Sequence, residues 1–140
     1  MIFLPDTNAW IQVLRHPQTP LALRLERVAR RERVWLADIV RAELLYGVLH
    51  SREPGRRMPQ LQTLFRSFRA APFDSVAADH HGRVRQHLAA AGTPIGPNDL
   101  CIAATALAHG CTLVTHNTRE FRRVPGLRVE DWQAEEQGPA

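Results

Sequence analysis

The sequence has no lysine, only two cysteines and no long apolar run. All 18 basic residues are arginine, and 14 acidic residues leave a formal net charge of +4. No stretch approaches the about 20 apolar residues of a membrane-spanning helix, so we expect no membrane association. Cys101 and Cys111 form no CxxC pair, which excludes a cysteine-rich zinc site.

The length and the N-terminus bound the domain organisation. A chain of 140 residues with 44% hydrophobic residues can form one compact domain with its own core. We expect residues 1–132 to form this single domain and residues 133–140 to form a polar tail. Residues 1–6 contain no basic segment and reach a carboxylate at once, unlike a signal peptide. The expected location is therefore the cytoplasm.

The arginine-rich composition bears on the partner. A basic chain favours a polyanion, and the guanidinium group binds phosphate through a planar fork. A genomic bias toward arginine codons explains the missing lysines equally well, so charge alone does not decide the function.

Short apolar segments alternate with amphipathic segments along the chain. Strands are predicted at residues 2–5, 34–36, 72–74, 112–115 and 127–129. Helices are predicted from Asp6 or Thr7 onward and at about 20–31, 38–50, 60–69, 75–91 and 98–110, with a polar loop at 51–59 and a short turn or helix at 117–123. This alternation predicts an α/β fold with a parallel sheet and helices on both faces.

Polar residues follow two of the predicted strands. Asp6 follows the first strand, and His116 and Asn117 follow the strand that ends at Thr115. Because sites in such folds lie beyond the carboxyl ends of the strands, we expect these positions to face one crevice. The sequence has no GxGxxG or Walker motif, so nothing supports a nucleotide cofactor.

Three carboxylates are candidate site residues, and each also has a purely structural explanation. Asp6 can cap the helix that follows it, unless Thr7 takes that role and leaves Asp6 free. Glu43 lies among apolar residues of a helix and can occupy a solvated edge. Asp99 follows a stiff loop at residues 93–97 and can complement a helix dipole.

Together the three carboxylates predict a metal site. Clustered carboxylates repel one another, and the pKa of at least one rises unless a cation is present. An oxygen-only donor set favours Mg²⁺ or Mn²⁺ over zinc. Such a cation activates water for attack on phosphorus, which predicts phosphodiester hydrolysis.

Several sequence blocks occur in a recognisable order. They are LPDTN at 4–8, AELLYG at 42–47, GPND at 96–99 with Ile102 and Ala103, LVTHNTREF at 113–121 and VPGLRVEDW at 124–132. These blocks resemble the VapC toxins of bacterial toxin–antitoxin pairs, which are PIN-domain ribonucleases. The resemblance covers nearly the whole chain.

The resemblance implies a three-layer α/β/α sandwich with a central, mostly parallel sheet. It also implies an endoribonuclease that depends on Mg²⁺ or Mn²⁺, and a small VapB-like antitoxin whose tail blocks the crevice. Likeness to one toxin group points to transfer RNA. Apolar positions on the first helices and on the helix that contains Tyr46 can serve a homodimer or the amphipathic helix of the antitoxin.

Carried over by motif, Asp6, Glu43 and Asp99 are the catalytic, metal-binding acids. Many family members place a fourth acid just after the late strand, where this chain has Asn117. The amide oxygen of Asn117 can ligate a metal without bringing charge, and Glu120 can supply the charge directly or through water.

Six further residues are expected around the site. Three polar residues are expected to orient the carboxylates or a water molecule: Thr7, Asn8 and Thr115. Three arginines are expected to hold RNA phosphates: Arg119, Arg122 and Arg123. An exposed basic turn explains these arginines equally well.

Two other functions stay open at this point. The chain can be a related nuclease that acts on DNA or ribosomal RNA. It can also be a non-catalytic module that binds RNA or an antitoxin through a degenerate site. Asn117 supports the second alternative, and the three remaining acids oppose it.

Overall fold

The computed structural model describes residues 1–31 and 33–133. The strands are β1 (Ile2–Pro5), β2 (Arg33–Ala37), β3 (Arg69–Ala71), β4 (Thr112–Val114) and β5 (Val129–Glu130). The helices are α1 (Thr7–Arg15), α2 (Pro20–Arg31), α3 (Asp38–Leu49), α4 (Pro54–Ser67), α5 (Ser75–Ala90), α6 (Pro97–His109) and α7 (Thr118–Phe121).

The five strands form one parallel sheet in the order β3-β2-β1-β4-β5. Helices cover the sheet in a three-layer α/β/α sandwich. The predicted fold class is therefore confirmed. Phe3 and Leu4 of the central strand β1 are both buried, which explains its continuous apolar sequence, since the two side chains point to opposite faces of the sheet.

The strand order reverses between β1 and β4. The chain first builds outward from β1 to β2 and β3, and then returns to β4 on the other side of β1. Pro5 pairs with Val114, and the Asp6 backbone N–H donates to the Val114 carbonyl at 2.9 Å. A crevice therefore forms beyond the ends of these two strands, and the expectation that Asp6 and the residues after Thr115 lie together is confirmed.

Small residues let α6 pack closely in the core. Ala103, Ala104 and Ala106 are fully buried, so the helix backbone approaches its neighbours without large side chains between them. Gly110 ends the helix with φ +64°, the left-handed conformation that favours glycine. This packing fixes the first turn of α6, which carries Asp99.

The predicted loop at 51–59 is wrong, because α4 begins at Pro54. Proline fits the first position of a helix, where its missing N–H has no partner to lose. Pro59 lies inside α4, yet Leu61 and Leu64 are buried in the core. Tertiary packing of this apolar face therefore maintains the helix past Pro59, although proline disfavours a position inside a helix.

Two predicted strands are displaced along the chain. The segment at 72–74 was expected to be a strand, but β3 lies three residues earlier and pairs with β2. The strand expected at 127–129 begins later, because β5 is Val129–Glu130 and pairs with β4. Phe73 favours a strand by its residue type, but its side chain is exposed and does not belong to the core. Pairing with a neighbouring strand decided both positions, and a local pattern does not reveal it.

No helix among residues 1–31 and 33–133 is long and apolar enough to cross a bilayer. Trp132 is buried and contacts the ring of Phe3 edge to face at 5.2 Å, so the core extends to this residue. The polar tail predicted for 133–140 lies outside the described residues from position 134 onward, and the domain boundary at 132 stays a prediction.

Candidate active site

Asp6 is buried at the junction of β1, α1 and β4, with 4% of its surface exposed. Its Oδ1 accepts a hydrogen bond from the Ala9 backbone N–H at 2.8 Å, and its Oδ2 accepts one from the Thr115 hydroxyl at 2.5 Å. Asp6 is therefore the cap of α1, as one of the two explanations predicted. Capping does not exclude metal binding, because a carboxylate has about four acceptor positions.

The surroundings of Asp6 disfavour its charged form. Burial raises its pKa, while the hydrogen bonds from Thr115 and Ala9 lower it. The negative charges of Glu43 and Asp131 raise the pKa further. A cation at this point would remove the conflict.

Asp99 lies in the first turn of α6, behind Gly96 and Pro97. Burial raises its pKa to about 6, and the charges of Asp6, Glu120 and Glu43 add to the effect. The structure thus brings Asp6, Glu43, Asp99 and Glu120 within electrostatic reach of one another.

Asp6, Glu43 and Asp99 border a cavity of about 570 Å³, which we call the acidic crevice. Its lining includes Asp6, Thr7, Asn8, Glu43, Tyr46 and Asp99. The Thr7 hydroxyl donates to Glu43 Oε1 at 2.7 Å. Thr7 therefore orients a carboxylate rather than capping α1.

A second cavity of about 360 Å³ lies next to Asp6 on the side of β4 and the C-terminal segment. Asp6 and Asn8 line both cavities. Asn8 is exposed, so its side chain is available to a ligand at either cavity.

The donor set of the acidic crevice fits a hard divalent cation, although no ready-made cage is present. Among residues 1–31 and 33–133, no three Asp, Glu, His or Cys side chains lie close enough to hold a metal ion as they stand. Mg²⁺ usually takes one or two protein carboxylates and keeps several waters or substrate phosphates. The pKa values of Asp6 and Asp99 are raised first by burial and further by neighbouring carboxylates, and a bound cation would oppose both effects.

Asn117 holds Glu120 at the place where the fourth acid was expected. The Asn117 backbone N–H donates to the Thr115 hydroxyl oxygen at 3.0 Å, and its side-chain amide donates to Glu120 Oε2 at 2.9 Å. Because the charge of Glu120 raises the pKa of Asp99, the negative charge that Asn117 lacks is present one helical turn away.

The three arginines near α7 differ in their surroundings. Arg119 and Arg122 are exposed. Arg123 is half-buried, and its guanidinium donates to the Pro94 carbonyl at 3.5 Å. Their role in RNA binding stays a prediction.

Sequence reasoning missed Asp131, whose side chain is only 12% exposed. Its carboxylate lies 3.1 Å from His116 Nδ1 and accepts the Gln133 backbone N–H at 2.9 Å. Its charge raises the pKa of Asp6. Asp131 directly follows β5, just as Asp6 follows β1, so a correct strand end would have identified it.

The fold agrees with the comparisons to known proteins. Residues 3–127 match the family model of the PIN domain. The chain is 36% identical to the tRNA(fMet)-specific endonuclease VapC of Salmonella typhimurium, over 93% of this chain and 97% of that protein. It is 35% identical to Ribonuclease VapC2 of Rickettsia felis, over 94% and 98%.

A solved structure supports the same assignment. The crystal structure of VapBC2 from Rickettsia felis, bound to a DNA fragment from their promoter, matches with a TM-score of 0.89 and 32% identity, over 94% of this chain and 99% of that chain. The chain therefore belongs to the PIN-domain family, and within it to the VapC ribonucleases.

We predict that Asp99→Asn stabilises the metal-free protein at neutral pH. The pKa of Asp99 rises from its ordinary 3.8 to about 6 on folding, so the folded state holds the proton more tightly than the unfolded chain. Stability contributed by this group therefore falls as pH rises from about 4 to about 6. Melting temperatures are measured in EDTA. The difference between the variant and the wild type should increase as pH rises over this range.

Asp79→Asn, which removes an exposed carboxylate from α5, controls for the change in net charge. If Asp99 only complemented the dipole of α6, its charged form would be stabilising and the variant would lose stability as pH rises. That opposite trend, or no trend beyond the control, would contradict the raised pKa.

Proposed function

We propose that this protein is an endoribonuclease that hydrolyses RNA phosphodiesters as the toxin of a toxin–antitoxin pair. The observation that carries the proposal is the buried Asp6 at the switch point of the sheet, close enough to Asp99 for its charge to raise the pKa of that residue. Two relatives are named as a ribonuclease and as a tRNA(fMet)-specific endonuclease. These names favour RNA over DNA, and transfer RNA as the substrate.

The proposed cofactor is Mg²⁺ or Mn²⁺, held by Asp6, Glu43 and Asp99, with Glu120 or the Asn117 amide oxygen as a further ligand. When bound, such a cation polarises the phosphate and makes water a stronger nucleophile. The chain's own residues orient the ligands. Thr115 holds Asp6, Thr7 holds Glu43 and Asn117 holds Glu120.

The proposed protein partner is a VapB-like antitoxin. The similar Rickettsia felis structure is of VapBC2, and another similar structure is of VapBC-1 from nontypeable Haemophilus influenzae. In this chain, an apolar groove of about 180 Å³ between α1, α3 and α4 can receive an apolar side chain from an amphipathic helix of the partner. We propose inhibition by this partner, a homodimer, and action in the cytoplasm, where the RNA substrates lie.

The non-catalytic alternative rests on Asn117, which brings no charge to the site. Glu120 weakens that alternative, because its carboxylate accepts a hydrogen bond from Asn117 and its charge acts on Asp99. Three carboxylates therefore border the acidic crevice, and the charge of a fourth, Glu120, acts on Asp99.

We predict that Asp6→Asn and Asp99→Asn each lower RNA cleavage by about 100-fold or more, because each removes negative charge that would hold the cation, and the cation would stabilise the negatively charged transition state. Purified protein, free of antitoxin, is incubated with total RNA and with transfer RNA in Mg²⁺, in Mn²⁺ and in EDTA. Discrete cuts should appear only with metal. Asp79→Asn should cleave like the wild type.

Absence of cleavage by folded wild-type protein in either metal would overturn the nuclease proposal and favour the binding module. Cleavage that survives EDTA or both site variants would instead overturn the carboxylate–metal mechanism and point to a contaminating or metal-independent nuclease.

We predict that Thr115→Val lowers metal affinity and cleavage by about 10- to 100-fold, the usual cost of losing a group that orients a ligand. The change keeps the side-chain shape but removes the hydroxyl that bonds to Asp6 and accepts from Asn117. Thr115→Ser keeps the hydroxyl and should stay near wild type. Equal losses in both variants, measured by Mn²⁺ titration and initial rates, would show that packing of the methyl group matters instead.

A further inference from the structure

Tyr46 is a large aromatic residue that the core does not use. It lies on α3 one turn after Glu43, lines the acidic crevice, and has 66% of its surface exposed. Burial therefore does not account for an aromatic residue at this position. Its place at the rim of the candidate active site suggests contact with the substrate.

The Tyr46 ring is held by a second ring. His50, one turn further along the chain, stacks on it with ring centroids 5.4 Å apart and planes only 10° from parallel. One face of the Tyr46 ring is thus covered, and the high exposure places the other face in solvent. This contact limits the rotation of the ring, so less conformational entropy is lost when a third planar group stacks on it.

Positive charge lies in the groove that adjoins the acidic crevice. Arg15 and Arg57 line the apolar groove next to the acidic crevice, and Glu43 borders both cavities. A polynucleotide whose phosphate sits at the carboxylates can therefore pass the rings and reach guanidinium groups that bind the next phosphates.

We propose that Tyr46, supported by His50, is a stacking platform for an unpaired base of the RNA next to the scissile phosphate. The inference rests on the proposed ribonuclease function and adds a substrate class to it: a single-stranded or splayed-out nucleotide rather than a base pair. Recognition by stacking is tolerant of sequence, because every base has an aromatic face.

A protein partner is the rival occupant of this surface. Leu45 and Leu49 are also exposed on α3, and a protein interface would use these leucines together with Tyr46. A nucleobase needs the ring and not the leucines. Leu49→Ala is therefore the matched control, since it removes apolar surface from the same helix without touching the stack.

The test measures binding and cleavage separately. Binding is measured in Asp99→Asn protein, by the fluorescence of a short unstructured RNA that carries 2-aminopurine at successive positions. The values of kcat and KM are measured in protein that is otherwise wild type. Tyr46→Ala should weaken binding and raise KM by about fivefold to about 150-fold, the range for loss of one base–aromatic stack. Tyr46→Phe and Leu49→Ala should stay within about twofold of the parent, and 2-aminopurine quenching should persist with Phe and vanish with Ala.

Different results would contradict the stacking inference and the proposed function. If the wild type cleaves RNA but Tyr46→Ala, folded by circular dichroism, changes neither KM nor quenching, the stacking inference is wrong and the proposed function stands. If Tyr46→Ala and Leu49→Ala cause equal losses, or alter self-association instead of RNA binding, the surface is a protein interface. If the wild type neither binds nor cleaves RNA, the proposed function itself fails.

Discussion

The carboxylate of Asp6 joins the two halves of the sheet at the point where the strand order reverses. One oxygen accepts a hydrogen bond from the first turn of α1, and the other accepts one from the residue that follows β4. These bonds offset part of the cost of burying a charged group. Because they fix Asp6 in one place, the positions of Glu43 and Asp99 relative to it define the acidic crevice.

The surroundings of this cluster have opposite effects on the pKa values of its carboxylates. Capping and hydrogen bonding favour the ionised form of Asp6, whereas burial and the neighbouring acids raise the pKa of both Asp6 and Asp99. A fold selected for stability alone has no reason to bring several carboxylates together at one crevice. Such local conflicts concentrate at functional sites, where a ligand resolves them.

The fold class and the strands β1 and β4 could be predicted because short segments of the sequence indicate them. A continuous apolar run marks β1, and an acid directly after it marks the site. The position of β3, by contrast, depends on pairing with β2, and α4 continues past Pro59 because Leu61 and Leu64 are buried. Neither cause is visible in a short window of sequence.

Some features of the candidate site could likewise be predicted from the sequence, and others depend on the folded structure. Asp6, Glu43 and Asp99 were predicted from motif and strand order, and they do border one crevice. The bond from Asn117 to Glu120 and the proximity of Asp131 to Asp6 depend on side-chain geometry and on where β5 ends. Only the folded chain shows these two features.

We propose that the buried Asp6 and the partly buried Glu43 and Asp99 together form a cation site. The most direct measurement is calorimetric titration of metal-free protein with Mn²⁺ at about pH 6, in two buffers of different ionisation enthalpy. Because the pKa of Asp99 is about 6, the account predicts saturable binding that releases protons at this pH and releases fewer at about pH 8. Absence of saturable binding, or binding without proton release that persists in Asp6→Asn, would contradict it.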